Sequence, residues 1–391
     1  MKKICLVVVG FYIGILGAFA QTVDTTVYKS RKLKLEEINL VSSYYTQNGN
    51  NSSVLGGIGS EKLNDFSNVF DVKFTKYDKR NRKHGITIDV GVDHYSSASS
   101  DQVDLKANSS ASSADTRIYP SVSWNIENEK TGKTVGLNVS ASTEYDYKSF
   151  GFGANFSQKS KDKSREFGVR AQVYLDKVSM ILPIELRTGG TPPAEARNSF
   201  SASFSLAQVI NKRLQVLFTA DIVKQDGFLS LPFHRVKFTN GNVRSELLPS
   251  SRLKIPVGAR LNYFLGDKII LRSFYRFYYD DWGLISNSMD VEASYKLTPF
   301  FSITPFYRFY QQSAVDYFAA ANQHKTTEQY YTSNYDLSKF NSSFFGAGFR
   351  FAPAKGVLGI RHWHMVEVRY GHYNRTTGLN SDIISLNLGI K

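Results

Sequence analysis

The chain has 391 residues, 42% hydrophobic and 14% aromatic, and its 48 Lys and Arg outnumber 34 Asp and Glu to give a formal charge of +14. A single cysteine, Cys5, excludes a disulfide framework, and no run of 18 apolar residues follows residue 20, which excludes a helical membrane protein. The hydropathy is that of a water-soluble chain, and a β-barrel has the same average because only alternate residues face lipid.

Met1, Lys2 and Lys3 precede an apolar run of 13 residues from Ile4 to Leu16, then Ala18, Phe19 and Ala20 before Gln21. This is the pattern of a secretory signal peptide over 1–20, too short to span a bilayer. Without Lys2 and Lys3 the formal charge is +12, and the mature chain has no thiol for metal or nucleophilic chemistry. An exported cationic chain points to anionic lipid head groups or small anions, not nucleic acid. Residues 21–35 form a basic lead without periodicity, expected to be periplasmic.

From residue 36 onward, short runs alternate polar and apolar side chains, the period of a strand with one wet and one greasy face. Sixteen such strands are predicted: 36–45, 68–77, 85–93, 117–126, 133–145, 149–158, 165–176, 199–208, 213–223, 252–264, 268–280, 284–297, 300–312, 342–352, 362–373 and 382–391. In 268–280 one face carries Lys268, Ile270, Arg272, Phe274, Arg276, Tyr278 and Asp280, against Ile269, Leu271, Ser273, Tyr275, Phe277 and Tyr279 on the other. Ile384, Leu386, Leu388 and Ile390 alternate with Ser385, Asn387 and Gly389 in the last strand, which resembles the terminal signal read by the barrel-assembly machinery, although it ends in Lys391 and lacks a terminal aromatic.

Short turns alternate with the other connections, five of which are long: 46–67, 94–116, 177–198, 224–251 and 313–341. A sandwich has no reason to sort its loops in this way; an up-and-down membrane meander does. Open edges cannot be left in hydrocarbon, so the sheet must close. The expected fold is all-β, a transmembrane antiparallel up-and-down barrel occupying 36–391, in the outer membrane of a Gram-negative bacterium with both termini periplasmic. Its surroundings would be outer-membrane lipid and lipopolysaccharide.

Leu231-Pro232-Phe233-His234-Arg235-Val236, Glu246-Leu247-Leu248-Pro249, Asp280-Asp281-Trp282-Gly283, Tyr307-Arg308 and Asp316-Tyr317-Phe318 carry a resemblance, with Ser96 to Asp101 and Arg117 to Ser121 in keeping. On these residues the chain resembles a family of bacterial outer-membrane barrels catalogued only as a domain of unknown function. The resemblance covers nearly the whole mature chain and implies a porin-like shape, with no settled activity. Members are often encoded beside a thioredoxin-like protein and a small lipoprotein, which implies a lipoprotein or periplasmic partner.

The strands between 252 and 312 carry charge on the face expected to line the lumen: Arg252, Lys254, Arg260, Lys268, Arg272, Arg276, Asp280, Asp290, Glu292, Lys296 and Arg308. Opposed charge rows across water sort solutes by charge; the same residues can also be ion pairs that brace the wall. Asp93, Asp101, Asp104 and Asp115 flank a Ser-rich loop and are candidate calcium ligands without EF-hand spacing, set against a plain solvated loop. His362 and His364 could give half of a metal site or belong to an interfacial girdle with Trp363. Asp280 and Asp281 suggest an acid-base pair or turn chemistry beside a girdle Trp282. The glycine-rich 50–59 lacks phosphate-loop spacing and is read as a loop that folds towards the lumen. No spacing singles out a catalytic triad, so no enzyme and no cofactor is expected. The sequence therefore predicts a porin-like channel for small polar or anionic solutes. A non-conducting scaffold and an outer-membrane hydrolase stand as alternatives.

Overall fold

A computed structural model describes residues 31–98, 114–187, 189–190 and 192–391. The expected signal peptide of 1–20 and residues 21–30 of the expected lead lie outside these. Strands β1 (Lys34–Asn48), β2 (Lys62–Tyr77), β3 (Lys83–Ala98), β4 (Ala114–Asn128), β5 (Lys133–Thr143), β6 (Tyr147–Lys159), β7 (Arg165–Val178), β8 (Glu195–Asn211) and β9 (Leu214–Gly227) form the first half of a meander. A short hairpin follows, β10 (Arg235–Lys237) and β11 (Val243–Ser245). Then come β12 (Ser251–Leu265), β13 (Ile269–Asp280), β14 (Ile285–Lys296), β15 (Phe301–Gln312), β16 (Phe340–Phe351), β17 (Trp363–Arg375) and β18 (Asn380–Ile390).

Each strand pairs antiparallel with its neighbours, β9 passes directly to β12, and β18 returns to β1 from Ile38↔Ile390 to Asn48↔Asn380. The cylinder therefore has no open edge, and its sixteen strands match those expected from the alternation. Several strands are longer than periodicity suggests: β2 begins at Lys62 and β8 at Glu195, because backbone pairing continues into segments where the alternation is broken by polar side chains.

Leu137, Val139, Phe150, Phe152, Phe204, Val257, Leu261, Phe277, Phe309 and Phe345 are all exposed on the outside. A water-soluble protein rarely leaves so continuous an apolar surface bare, whereas hydrocarbon covers it without cost. The buried apolar side chains lie elsewhere. Val236, Phe238 and Tyr331 form one cluster, and Leu248, Trp282, Leu284 and Val315 another, all within or beside the loops at one end of the cylinder. The opposite end carries short turns, such as that at Asp78, whose carboxylate accepts from Arg80 N and Arg82 N while Asn81 takes a left-handed φ of 58°.

Candidate functional site

On β12 to β15 the inward positions alternate with the exposed apolar ones, which turns Arg252, Lys254, Arg260, Arg272, Arg276, Asp280, Asp290, Glu292 and Arg308 to the lumen. Lys268 differs: it stands exposed in the turn before β13, since the strand begins only at Ile269. Of the inward residues, Arg252, Arg260, Arg272, Arg276, Asp290, Glu292 and Arg308 line one chamber of about 780 Å³.

Most of these charges are paired. Asp280 is fully buried; its Oδ2 accepts from Arg252 Nη2 at 2.5 Å and from Tyr278 OH at 2.7 Å, and its Oδ1 from Trp282 N and Leu284 N. This settles the Asp280-Asp281-Trp282-Gly283 segment as a turn. Trp282, expected in a girdle, is instead 3% exposed, packed beneath the loops with the Arg252 guanidinium 4.2 Å from its ring centre. Arg272 Nη1 bonds Glu292 Oε1 at 2.6 Å and Ser294 Oγ at 2.9 Å, Arg369 Nη2 meets the other Glu292 oxygen at 2.9 Å, and Arg308 pairs with Asp290. Arg260 and Arg276 have neither an ion pair nor a hydrogen bond among the described residues.

Sequence reasoning missed the opposite wall. Asp65 and Asp71 on β2 and Asp89 and Asp93 on β3 share the inward phase, alternating with exposed Phe66 and Ile88. Asp71 pairs with Asp89 in register. By strand order β2 and β3 stand eight strands from β12 and β13, so this acidic strip faces the arginines across the lumen. The alternation of 65–71 and 89–93 contains the signal, but its meaning depends on which strands end up opposite. Arg350 and Arg369 were likewise passed over.

Two of the four calcium candidates fall among the described residues. Asp93 accepts from Ser67 Oγ at 2.6 Å and Tyr119 OH at 2.8 Å, whereas Asp115 gathers with Glu144 and Asp146, ligand atoms within 4.8 Å of one another. Asp101 and Asp104 lie outside the described residues. His362 Nδ1 donates to Lys391 O at 2.9 Å, while His364 Nε2 is 3.5 Å from Glu37, so the two imidazoles serve separate contacts.

Four long loops interlock at one mouth. The 49–61 loop leaves between β1 and β2, eight strands from the β10–β11 hairpin, yet Ser53 Oγ is 3.1 Å from His234 Nε2 and Arg235 Nη1 donates to Val54 O at 2.7 Å. Contact between such distant positions requires a loop to cross the mouth. Arg235, 3% exposed, is held by both Glu185 oxygens at 2.5 and 3.0 Å, which ties in the 179–194 loop and keeps that carboxyl below the usual range. The 313–339 loop joins through Phe238 against Tyr331, ring centres 4.9 Å apart, and through Tyr331 N, which donates to Leu247 O. Glu246, 4% exposed, accepts from Thr332 Oγ1 at 2.6 Å and Leu231 N at 2.8 Å. Burial pushes its carboxyl up, but these donors and His234, 3.6 Å away, outweigh that and hold it below the ordinary carboxylate value. The result is a packed cap, and its residues Asp336 and Leu337 roof the chamber.

A family model described as Protein of unknown function (DUF3570) matches residues 92–377. No curated protein matches the chain in sequence. The chain is similar in structure to a BenF-like porin from Pseudomonas fluorescens Pf-5, at 9% identity and a TM-score of 0.44, over 93% of this chain and 100% of that one. OccK1 (OpdK) of Pseudomonas aeruginosa gives 8% and 0.42 over 93% and 99%. OmpT lacking loop L8, an outer membrane protein of Vibrio cholerae, gives 8% and 0.49 over 91% and 99%.

Proposed function

The chain belongs to the family described as Protein of unknown function (DUF3570), and we propose that it is an outer-membrane channel for small polar solutes, with a preference for anions. The observation that carries this reading is the arginine-lined chamber of about 780 Å³ inside a closed cylinder. Sixteen strands enclose enough width for water unless loops fill it. The arginine wall attracts anions and repels cations, while the facing Asp65, Asp71, Asp89 and Asp93 do the reverse, so the field across that water sorts solutes by charge, and the unpaired Arg260 and Arg276 tip the chamber towards anions. The cap narrows the entrance and makes the pore selective by size.

Outer-membrane placement is supported by the signal pattern of 1–20 and the apolar outside. The even strand number puts both termini at the short-turn end, which we assign to the periplasm, and the cap then faces outwards. The alternating β18 is the segment offered to the barrel-assembly machinery. Purified mature protein in planar bilayers should give stepwise conductance, and a salt gradient should reveal higher permeability to chloride than to potassium. A folded barrel that seals against both ions would remove the channel and leave a non-conducting scaffold for a lipoprotein or periplasmic partner.

A second reading, a hydrolase, has one observation in its favour. His234 lies between the two groups such a site needs, its Nε2 3.1 Å from Ser53 Oγ and its Nδ1 3.6 Å from Glu246 Oε1. The order is that of a nucleophile, a base and an orienting acid. Against it, both Glu246 oxygens already serve the cap. An activity-based fluorophosphonate should leave the folded protein unlabelled; labelling that disappears in Ser53→Ala would establish the hydrolase.

A further inference from the structure

We propose that the bay around Gly258 on the chamber wall is a binding station for small organic carboxylates with an apolar body; its physiological meaning rests on the channel reading, while its measurement does not. The chamber arginines are of two kinds. Arg252, Arg272 and Arg308 are neutralised by Asp280, Glu292 and Asp290. Arg260 and Arg276 carry no acid partner among the described residues, so their charge is available to a solute.

Their setting is built into the sheet. Gly258 pairs with Arg276 and Arg260 with Phe274, which makes the two arginines diagonal neighbours on one face, about 7–8 Å apart at the backbone. A side chain at Gly258 would put its Cβ 2.9 Å from Phe274 Cε2 and Cζ, so the missing side chain is what lets this ring lie against the wall. The Arg260 guanidinium then sits 5.2 Å from the ring centre. Stacking fixes the plane of a guanidinium without consuming its edge N–H donors, which stay free to grip a carboxylate in a two-pronged fashion. The other stacks on this wall are different. Arg252 over Trp282 is paired with Asp280, and Arg369 over Phe306 is paired with Glu292 and Glu367.

The rest of the chamber selects against a bare inorganic ion. Phe274, Tyr278, Leu284, Tyr310 and Leu337 present apolar surface next to the two free cations. Chloride or acetate would satisfy the charge and leave that surface wet, whereas a carboxylate on a ring covers it and gains the burial. The volume lies within the range of about 300–1,000 Å³ usual for small-molecule sites.

The test is isothermal titration of the full mature barrel in detergent with sodium benzoate, acetate and benzylamine, alongside benzoate block of chloride current in bilayers. Benzoate should bind saturably, acetate about tenfold or more weakly, and benzylamine not at all. Arg260→Ser with Arg276→Ser should lower benzoate affinity about tenfold or more. These two residues make no ion pair or hydrogen bond among the described residues, so the variant should fold, as circular dichroism would verify. Gly258→Ala, which displaces Phe274, should weaken benzoate by a larger factor than acetate, because it removes apolar cover from the one and only loosens the Arg260 guanidinium for the other. Unaltered benzoate binding in the double variant, or acetate binding as tightly as benzoate, would overturn the station. Binding without conductance would fail the channel and keep the station; conductance without saturable benzoate binding would do the reverse.

Discussion

Excising residues 229–249 and joining 228 to 250 through a short Gly-Ser linker should raise single-channel conductance several-fold and leave the barrel folded. The barrel does not need this segment, because β9 and β12 already meet at Asp226↔Ser251 and Gly227 N donates to Ser250 O. The cap does need it. Val236 and Phe238 are fully buried, and burial of such side chains contributes about 1.5–3 kcal/mol each. Their removal takes away the partners of Tyr331 and Thr332, and with them what packs the 313–339 loop over the chamber. Freed of one hairpin and loosened at a second loop, the mouth should pass ions in proportion to its wider opening. Unchanged conductance in a folded excision variant would show that the cap does not restrict the path.

How far the sequence could be read is clearest where its period is shortest. Alternation such as Phe150, Phe152 and Phe156 against Gly151, Gly153 and Asn155 is a local property of neighbouring residues, so the strands and both faces could be assigned without knowing any partner. Strand ends were less accessible, since backbone pairing carries β2 and β8 on into stretches where polar side chains blur the alternation. The cap was hidden because its contacts join residues far apart in sequence, Glu185 to Arg235, Ser53 to His234 and Glu246 to Thr332, with no periodicity to announce them. Trp282 was mistaken for a girdle residue for the same reason: the cover that buries it comes from a distant loop.

The lumen charges fall between these cases. Their direction was legible, but the division between neutralised Arg252, Arg272 and Arg308 and free Arg260 and Arg276 depends on cross-strand register. A slip of one residue would exchange the faces, and a slip of two would exchange the partners. Register is fixed by the closure of the whole cylinder, so no single strand contains it. The Asp strip on β2 and β3 was visible as a pattern, and its position opposite β12 and β13 emerges only when all sixteen strands are counted round.

A sealed cylinder with hydrocarbon outside and water inside gives the two side-chain phases of every strand opposite surroundings. Cys5 is the chain's one cysteine, so in protein that begins at Gln21 single cysteines can be introduced without background. Placed in turn at Leu137, Asn138, Val139 and Ser140 of β5, in protein reconstituted into lipid bilayers, they should react with a charged, water-soluble thiol reagent in strict alternation. Positions 138 and 140 should label readily, and 137 and 139 only after the bilayer is dissolved. Labelling without alternation, or with the two phases reversed, would contradict the account.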